Sequence, residues 1–140
     1  MKKKILKLSE EDQFDFILIG IICSHRDYRL TMAINKKFEI ELTKQEEFTV
    51  FNNKRMEDQD FSFYEYVNEE NDRFNLISNK SLKGLLIPEQ NQIDYLFLIR
   101  LERSNLDEQT VLTSLKEIPI ILGAYKLDPA RLKSRENLVF

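Results

Sequence analysis

The sequence has no tryptophan, one cysteine, one histidine, three glycines and three prolines among its 140 residues. A lone thiol, Cys23, excludes an internal disulfide and the paired-cysteine motifs of zinc ribbons and thioredoxin-like sites. A reducing compartment, the cytoplasm, is the expectation. One Cys and one His cannot make a zinc site without borrowed carboxylates, and the acids show no EF-hand spacing, so no metal is expected. Gly20, Gly84 and Gly123 are too dispersed to cradle a phosphate, so no nucleotide cofactor is expected either. The longest apolar run, Phe16 to Cys23, is far short of the roughly 20 residues that cross a bilayer. Lys2, Lys3 and Lys4 ahead of that run suggest a lipoprotein leader, but Glu10, Glu11, Asp12 and Asp15 intervene. Ile22 also stands where a small residue would precede the cysteine.

What is present belongs to a folded domain: 42% hydrophobic and 32% charged residues, with ten Phe and five Tyr to fill a core. The length fits one domain over residues 1–140, ending in a short basic and apolar tail from about residue 128. The net charge of −3 is unevenly placed. Glu39 to Asp72 holds 11 acids and 3 bases, a net of −8, leaving +5 elsewhere. The middle of the chain therefore repels nucleic acid.

Phe14 to Cys23 reads as a buried strand in which Gly20 marks a close packing contact or a bulge. Ser24, with Asp27 three positions on, resembles a helix start, and Leu30, Ala33, Ile34 and Phe38 recur at helical spacing to about Lys37. Phe38-Glu39-Ile40-Glu41-Leu42 alternates as a strand wet on one face, and Phe48 to Phe51 is a short strand able to pair with it. Asn52 to Asp60 reads as a loop. Phe61 to Val67 and Phe74 to Ser78 form a hairpin around a charged turn, with Phe61 and Phe63 on one face and Tyr64 and Tyr66 on the other. After a loop over Asn79 to Gly84 and the break at Ile87-Pro88, Tyr95 to Leu101 is a strand. Asn105 or Asp107 caps a helix with the stripe Val111, Leu112, Leu115 and Ile118, Pro119 stops it, and Ile120 to Leu127 is a strand parallel to Tyr95–Leu101. The sum is an α+β fold: a mixed, mainly antiparallel sheet with two helices packed on one face. The other face would rest on its own aromatics or on a second chain, which makes Tyr64 and Tyr66 candidate interface residues.

Ile87-Pro88-Glu89 and Ile93-Asp94-Tyr95, separated by Gln90-Asn91-Gln92, resemble the signature of the bacterial IPExxxVDY family, with Ile93 in place of the usual Val. Asp27-Tyr28-Arg29-Leu30 with Asn35, Ile77-Ser78-Asn79-Lys80, and Leu132-Lys133-Ser134-Arg135-Glu136-Asn137-Leu138 are similar to the same family, so the resemblance covers most of the chain. It implies a bacterial source, chiefly the Bacteroidota, and brings no catalytic or binding role onto these positions.

Pro88, Glu89, Asp94 and Tyr95 are the motif residues with which a binding site is associated here. Paired carboxylates can divide acid and base work when their surroundings differ, yet acids after a proline and before a strand are ordinary turn formers, so the structural role is preferred. Cys23 and His25 form a thiol and imidazole pair only if the backbone between them stays extended, and a cysteine closing an apolar run usually packs as a small hydrophobe. No catalytic residue is assigned. Lys126, Arg131, Lys133 and Arg135 near Tyr125, joined by Lys2 to Lys4, are candidates for a nucleic-acid patch, against which stands a pI of 5.3. Leu138-Val139-Phe140 is expected to dock on this domain or a neighbour. The expected function is a non-enzymatic protein-binding or self-associating module, with a ferredoxin-like or ACT-like small-molecule regulatory domain second and a nucleic-acid-associated protein third.

Overall fold

The computed structural model describes residues 13–140. The six apolar residues of β1 (Ile17–Ile22) suit a strand covered on both faces, and β1 sits one place in from the sheet edge. The sheet order is β10-β1-β9-β6-β5-β2, with β2 Thr43–Lys44, β5 Phe63–Val67, β6 Arg73–Ser78, β9 Tyr95–Arg100 and β10 Gly123–Leu127. Every hydrogen-bonded pair in it is antiparallel. Strands β9 and β10 flank β1 and both oppose it, so they run the same way, as the crossover through α2 (Glu108–Lys116) requires.

One face of the sheet lies under α1 (Asp27–Phe38) and α2. Leu30 and Ile34 of α1, and Val111, Leu112 and Leu115 of α2, share one core cluster with Ile19, Ile21, Phe97 and Ile99. Asp107 caps α2, its carboxylate accepting the Thr110 N–H at 3.2 Å. Ser24 does not cap α1. Arg26 holds the cap position without a side-chain bond, and Asp27 accepts the Tyr28 N–H at 2.7 Å instead.

The opposite face is not open. A second cluster there joins Leu18, Ile77, Leu96 and Leu98 of the sheet to Phe61, the Leu86–Ile87 segment, Ile93, and Leu132 and Leu138 of the tail. Tyr64, 6% exposed, belongs to the helix-side cluster, and Tyr66 packs against it half-buried. The expectation of an uncovered face bearing Tyr64 and Tyr66 is therefore corrected: chain segments that read as loops cover one face, and on the other Tyr64 is buried in the helix-side core while Tyr66 packs beside Phe74. Phe63 does lie opposite Tyr64 and Tyr66, as the alternation requires.

Other differences have local causes. Phe38 to Leu42 is no strand, because α1 runs through Phe38 and Glu39 closes it in the left-handed region at φ 57°. Asn35 then brackets Leu42, accepting its N–H at 2.9 Å and donating to its carbonyl at 3.1 Å. The alternation arose from Phe38, Ile40 and Leu42 packing inward along a turn. β3 (Phe48–Asn52) instead pairs with β4 (Glu57–Phe61), a strand hidden by its acids, in which Gln59 and Phe61 turn inward. Ser62 interrupts the expected Phe61 to Val67 strand, so Phe61 belongs to this separate hairpin and Phe63 to the main sheet. The loop after Ser78 contains a minimal hairpin, β7 (Lys80–Ser81) with β8 (Gly84–Leu85).

Gly20 is the close contact that the sequence suggests. A Cβ there would lie 2.8 Å from Cδ1 of Ile93 and 3.2 Å from Cδ1 of Leu127. Gly20→Ala is expected to cost about 1–3 kcal/mol by overpacking. Because Ile93→Val removes the nearest atom, the double substitution should recover part of that loss in urea unfolding. Strict additivity of the two single effects would show that Ile93 is not what excludes the methyl.

Candidate functional site

Residues that carry the sequence resemblance meet at one end of the sheet, organised by Asn79. Asn79 is fully buried. Its Nδ2 donates to the carbonyls of Gln90 at 3.0 Å and Ile93 at 2.9 Å, and its Oδ1 accepts the Ile87 N–H at 2.8 Å. Its own N–H donates to the Asp94 carbonyl and its carbonyl accepts the Leu86 N–H. One side chain thus fixes both sides of the loop around the 3₁₀ turn Pro88–Gln90.

Asp94 ties the ends of three strands. Its Oδ2 accepts the Cys23 N–H at 2.9 Å just past β1, and its Oδ1 takes the Lys80 ammonium at 2.6 Å. Glu89 faces away from Asp94 toward the tail, where it accepts from the N–H and the hydroxyl of Ser134 at 2.7 and 2.8 Å. Burial works against its charge, but these bonds hold the carboxyl below its ordinary range. Asn137 completes the latch by donating to the Leu86 carbonyl at 2.8 Å. Tyr95 donates its hydroxyl to the His25 carbonyl at 2.7 Å, and burial, then the charge of Asp27, drives its pKa up. The two motif carboxylates are engaged separately, one by the tail and one by β1 and Lys80, through long-range contacts rather than the local backbone bonds of a turn.

Cys23 and His25 are separated by environment: the thiol is 3% exposed and the imidazole lies at the surface. Burial raises the thiol pKa, which opposes the thiolate a nucleophile needs. Around them Ser24, Arg26, Ser78, Lys80, Asp94 and Tyr95 line an open hollow of about 270 Å³. Asp27, at the start of α1, accepts from the Ser62 hydroxyl at 2.5 Å and pairs with Lys44 at 3.5 Å. Burial opposes its charge, and those partners prevail and lower its pKa.

Three of the four basic candidates near the tail, Lys126, Arg131 and Lys133, lie at the surface, Arg131 with 88% of its side chain exposed. Lys126 meets Glu108 at 3.8 Å, Arg131 meets Asp128 at 3.5 Å, and Arg135 lies over the Phe14 ring at 5.6 Å. Tyr125 is 52% exposed. Lys2 to Lys4 lie outside the described residues. Among the described residues, no helix is long and apolar enough to cross a membrane, and no three His, Cys, Asp or Glu residues are placed to hold a metal ion.

A surface that the sequence reading did not single out lies beside the tail. Phe140 packs edge-on against Phe48 and Phe63, with ring centroids at 5.2 and 5.1 Å, while Phe48 and Phe63 stack at 5.8 Å. Phe140 remains 39% exposed. These rings, with Gln45, Glu46, Glu47, Thr49, Glu65 and Arg73, line an open trough of about 600 Å³. The available signal was the apolar ending Leu138-Val139-Phe140, whose docking the structure shows: Leu138 is fully buried and Phe140 closes the trio. Its partners were obscure because β3 and β5 belong to different sheets.

No family model matches the chain, and no curated protein matches it.

Proposed function

We propose that this chain is a non-enzymatic protein-binding module whose docking surface is the Phe48, Phe63 and Phe140 trough. The observation that carries the reading is a trio of touching aromatic rings left partly in water at the margin of the core. Interface cores are enriched in aromatic residues, and such side chains bring large contact area at low entropic cost. The trough takes the role that Tyr64 and Tyr66 held in the sequence reading, since Tyr64 serves the core. The sequence resemblance fits a protein whose motif residues build a scaffold: Asn79, Glu89 and Asp94 fasten strands and tail.

Capture of tagged wild-type and Phe140→Asp chains from their own cells, after nuclease treatment, tests the reading. A stoichiometric protein, or a second copy of the chain, should accompany the wild type and be lost from the variant. Identical captures from both would remove the trough from consideration. The small-molecule reading rests on the hollow at the β1–α1 junction, which at about 270 Å³ falls just below the roughly 300–1,000 Å³ of ligand pockets. It ranks second.

A further inference from the structure

We propose that the partner segment seated in the aromatic trough is a basic, amphipathic peptide, with apolar side chains on the rings and Lys or Arg along the rim. This specification rests on the docking reading above and adds the partner's chemistry. The floor supplies the apolar half, since Phe48, Phe63 and Phe140 touch one another and Phe140 is still 39% exposed. The rim supplies the sign. Glu46 and Glu47, on the turn between β2 and β3, and Glu65 on β5 face Arg73 as the one cation in the lining.

Arg73 is already engaged with Glu65 at 3.5 Å, so Glu46 and Glu47 carry the uncompensated charge. The same sign continues past the hairpin. Glu47 also borders a neighbouring cleft of about 440 Å³ with Asp58 and Asp60, where Lys80 is held by Asp94 at 2.6 Å and Lys83 by Glu57 at 3.6 Å. An approaching segment therefore meets excess negative charge on both sides of Glu47. A cation over the exposed face of an aromatic ring gains further attraction from the ring quadrupole. An acidic segment would meet repulsion at the same places.

The test uses three labelled eight-residue peptides, alternating Lys-Leu, Glu-Leu and Lys-Ser, titrated by fluorescence anisotropy against the full chain. The Lys-Leu peptide should bind, with affinity falling as salt rises. Phe140→Ala should weaken it about tenfold by removing apolar contact. Glu46→Gln with Glu47→Gln, both exposed, should weaken it about fivefold while leaving the melting temperature unchanged. Lys-Leu binding that neither variant alters would overturn both the basic partner and the trough. Glu-Leu binding equal to Lys-Leu, lost in Phe140→Ala, would overturn only the basic specification and leave the docking surface standing. Equal binding of Lys-Ser and Lys-Leu would count against the amphipathic requirement, and no binding by Lys-Leu would dismiss the basic class.

Discussion

Asn79→Ala is expected to melt about 12 °C below the wild type, the largest loss from any single polar substitution proposed for this fold. The substitution removes three side-chain hydrogen bonds and leaves the Ile87 N–H and the Ile93 carbonyl without their partner, while the Gln90 carbonyl keeps the Ile93 N–H at 3.1 Å. A buried polar group left unpaired costs about 1–3 kcal/mol, so the two together amount to about 4 kcal/mol. For a chain of this length each kcal/mol is worth about 3 °C. Asn79→Asp is the instructive companion. It keeps the shape but replaces a double donor with an acceptor facing two carbonyls, so at neutral pH it should be at least as damaging as alanine. Calorimetry decides the matter. A loss under about 1 kcal/mol for Asn79→Ala would mean that the loop holds its form by packing alone.

Asp72 gives the second large effect and a dependence on acid. It is 1% exposed, in the turn between β5 and β6, and accepts from the Ser104 hydroxyl, the Glu102 N–H at 2.8 Å and Asn68 Nδ2 at 3.1 Å. The hairpin turn is thereby fastened to the segment leading from β9 into α2. The Ser104 hydroxyl is the largest influence on the carboxyl and lowers its pKa from the ordinary 3.8; burial opposes, and the Glu102 N–H and Asn68 assist. With the folded value below the unfolded one, the stabilisation is fully present above the unfolded pKa and disappears as pH falls through the folded pKa. Asp72→Asn should therefore cost about 2–3 kcal/mol at pH 7, and the gap from wild type should narrow as the solution is acidified. Urea unfolding at several pH values measures that gap. A gap independent of pH would show that the charge of Asp72 contributes nothing. Asp27 and Glu89 are also held below their ordinary pKa values, so the variant should keep part of the wild type's acid sensitivity.

The class of fold was legible because its central strands are short apolar runs and its helices carry regular stripes. Ile17 to Ile22 and Tyr95 to Arg100 are buried from both faces, and their composition shows it. Glu57 to Phe61 was illegible for the opposite reason. Three of its five residues are acids, and its inward positions include Gln59, whose amide donates to the Lys83 carbonyl at 2.9 Å. Phe38 to Leu42 misled because alternation records which side chains face inward and is indifferent to whether the backbone finds a neighbouring strand. Here Asn35 supplied the partner that a strand would have supplied. The candidate site was half visible. Glu89 and Asp94 were recognisable as turn residues, but their partners Ser134 and Cys23 are 45 and 71 positions away. The aromatic trough depends on Phe48, Phe63 and Phe140 converging from two sheets and the tail, a coincidence of topology that no local window contains.

The register of β1 bears on how the chain is made. Ile17 pairs with Ile99 and Leu18 with Leu127, so the most apolar strand is synthesised long before either neighbour. At roughly 10 residues per second it waits on the order of 8 s for β9 and longer for β10. The β5–β6 hairpin closes over a short turn and is complete well before then. Nascent chains should thus pass through a stage with one hairpin formed and an unpaired Ile-rich strand behind it, the form in which aggregation competes with folding and a chaperone has something to hold.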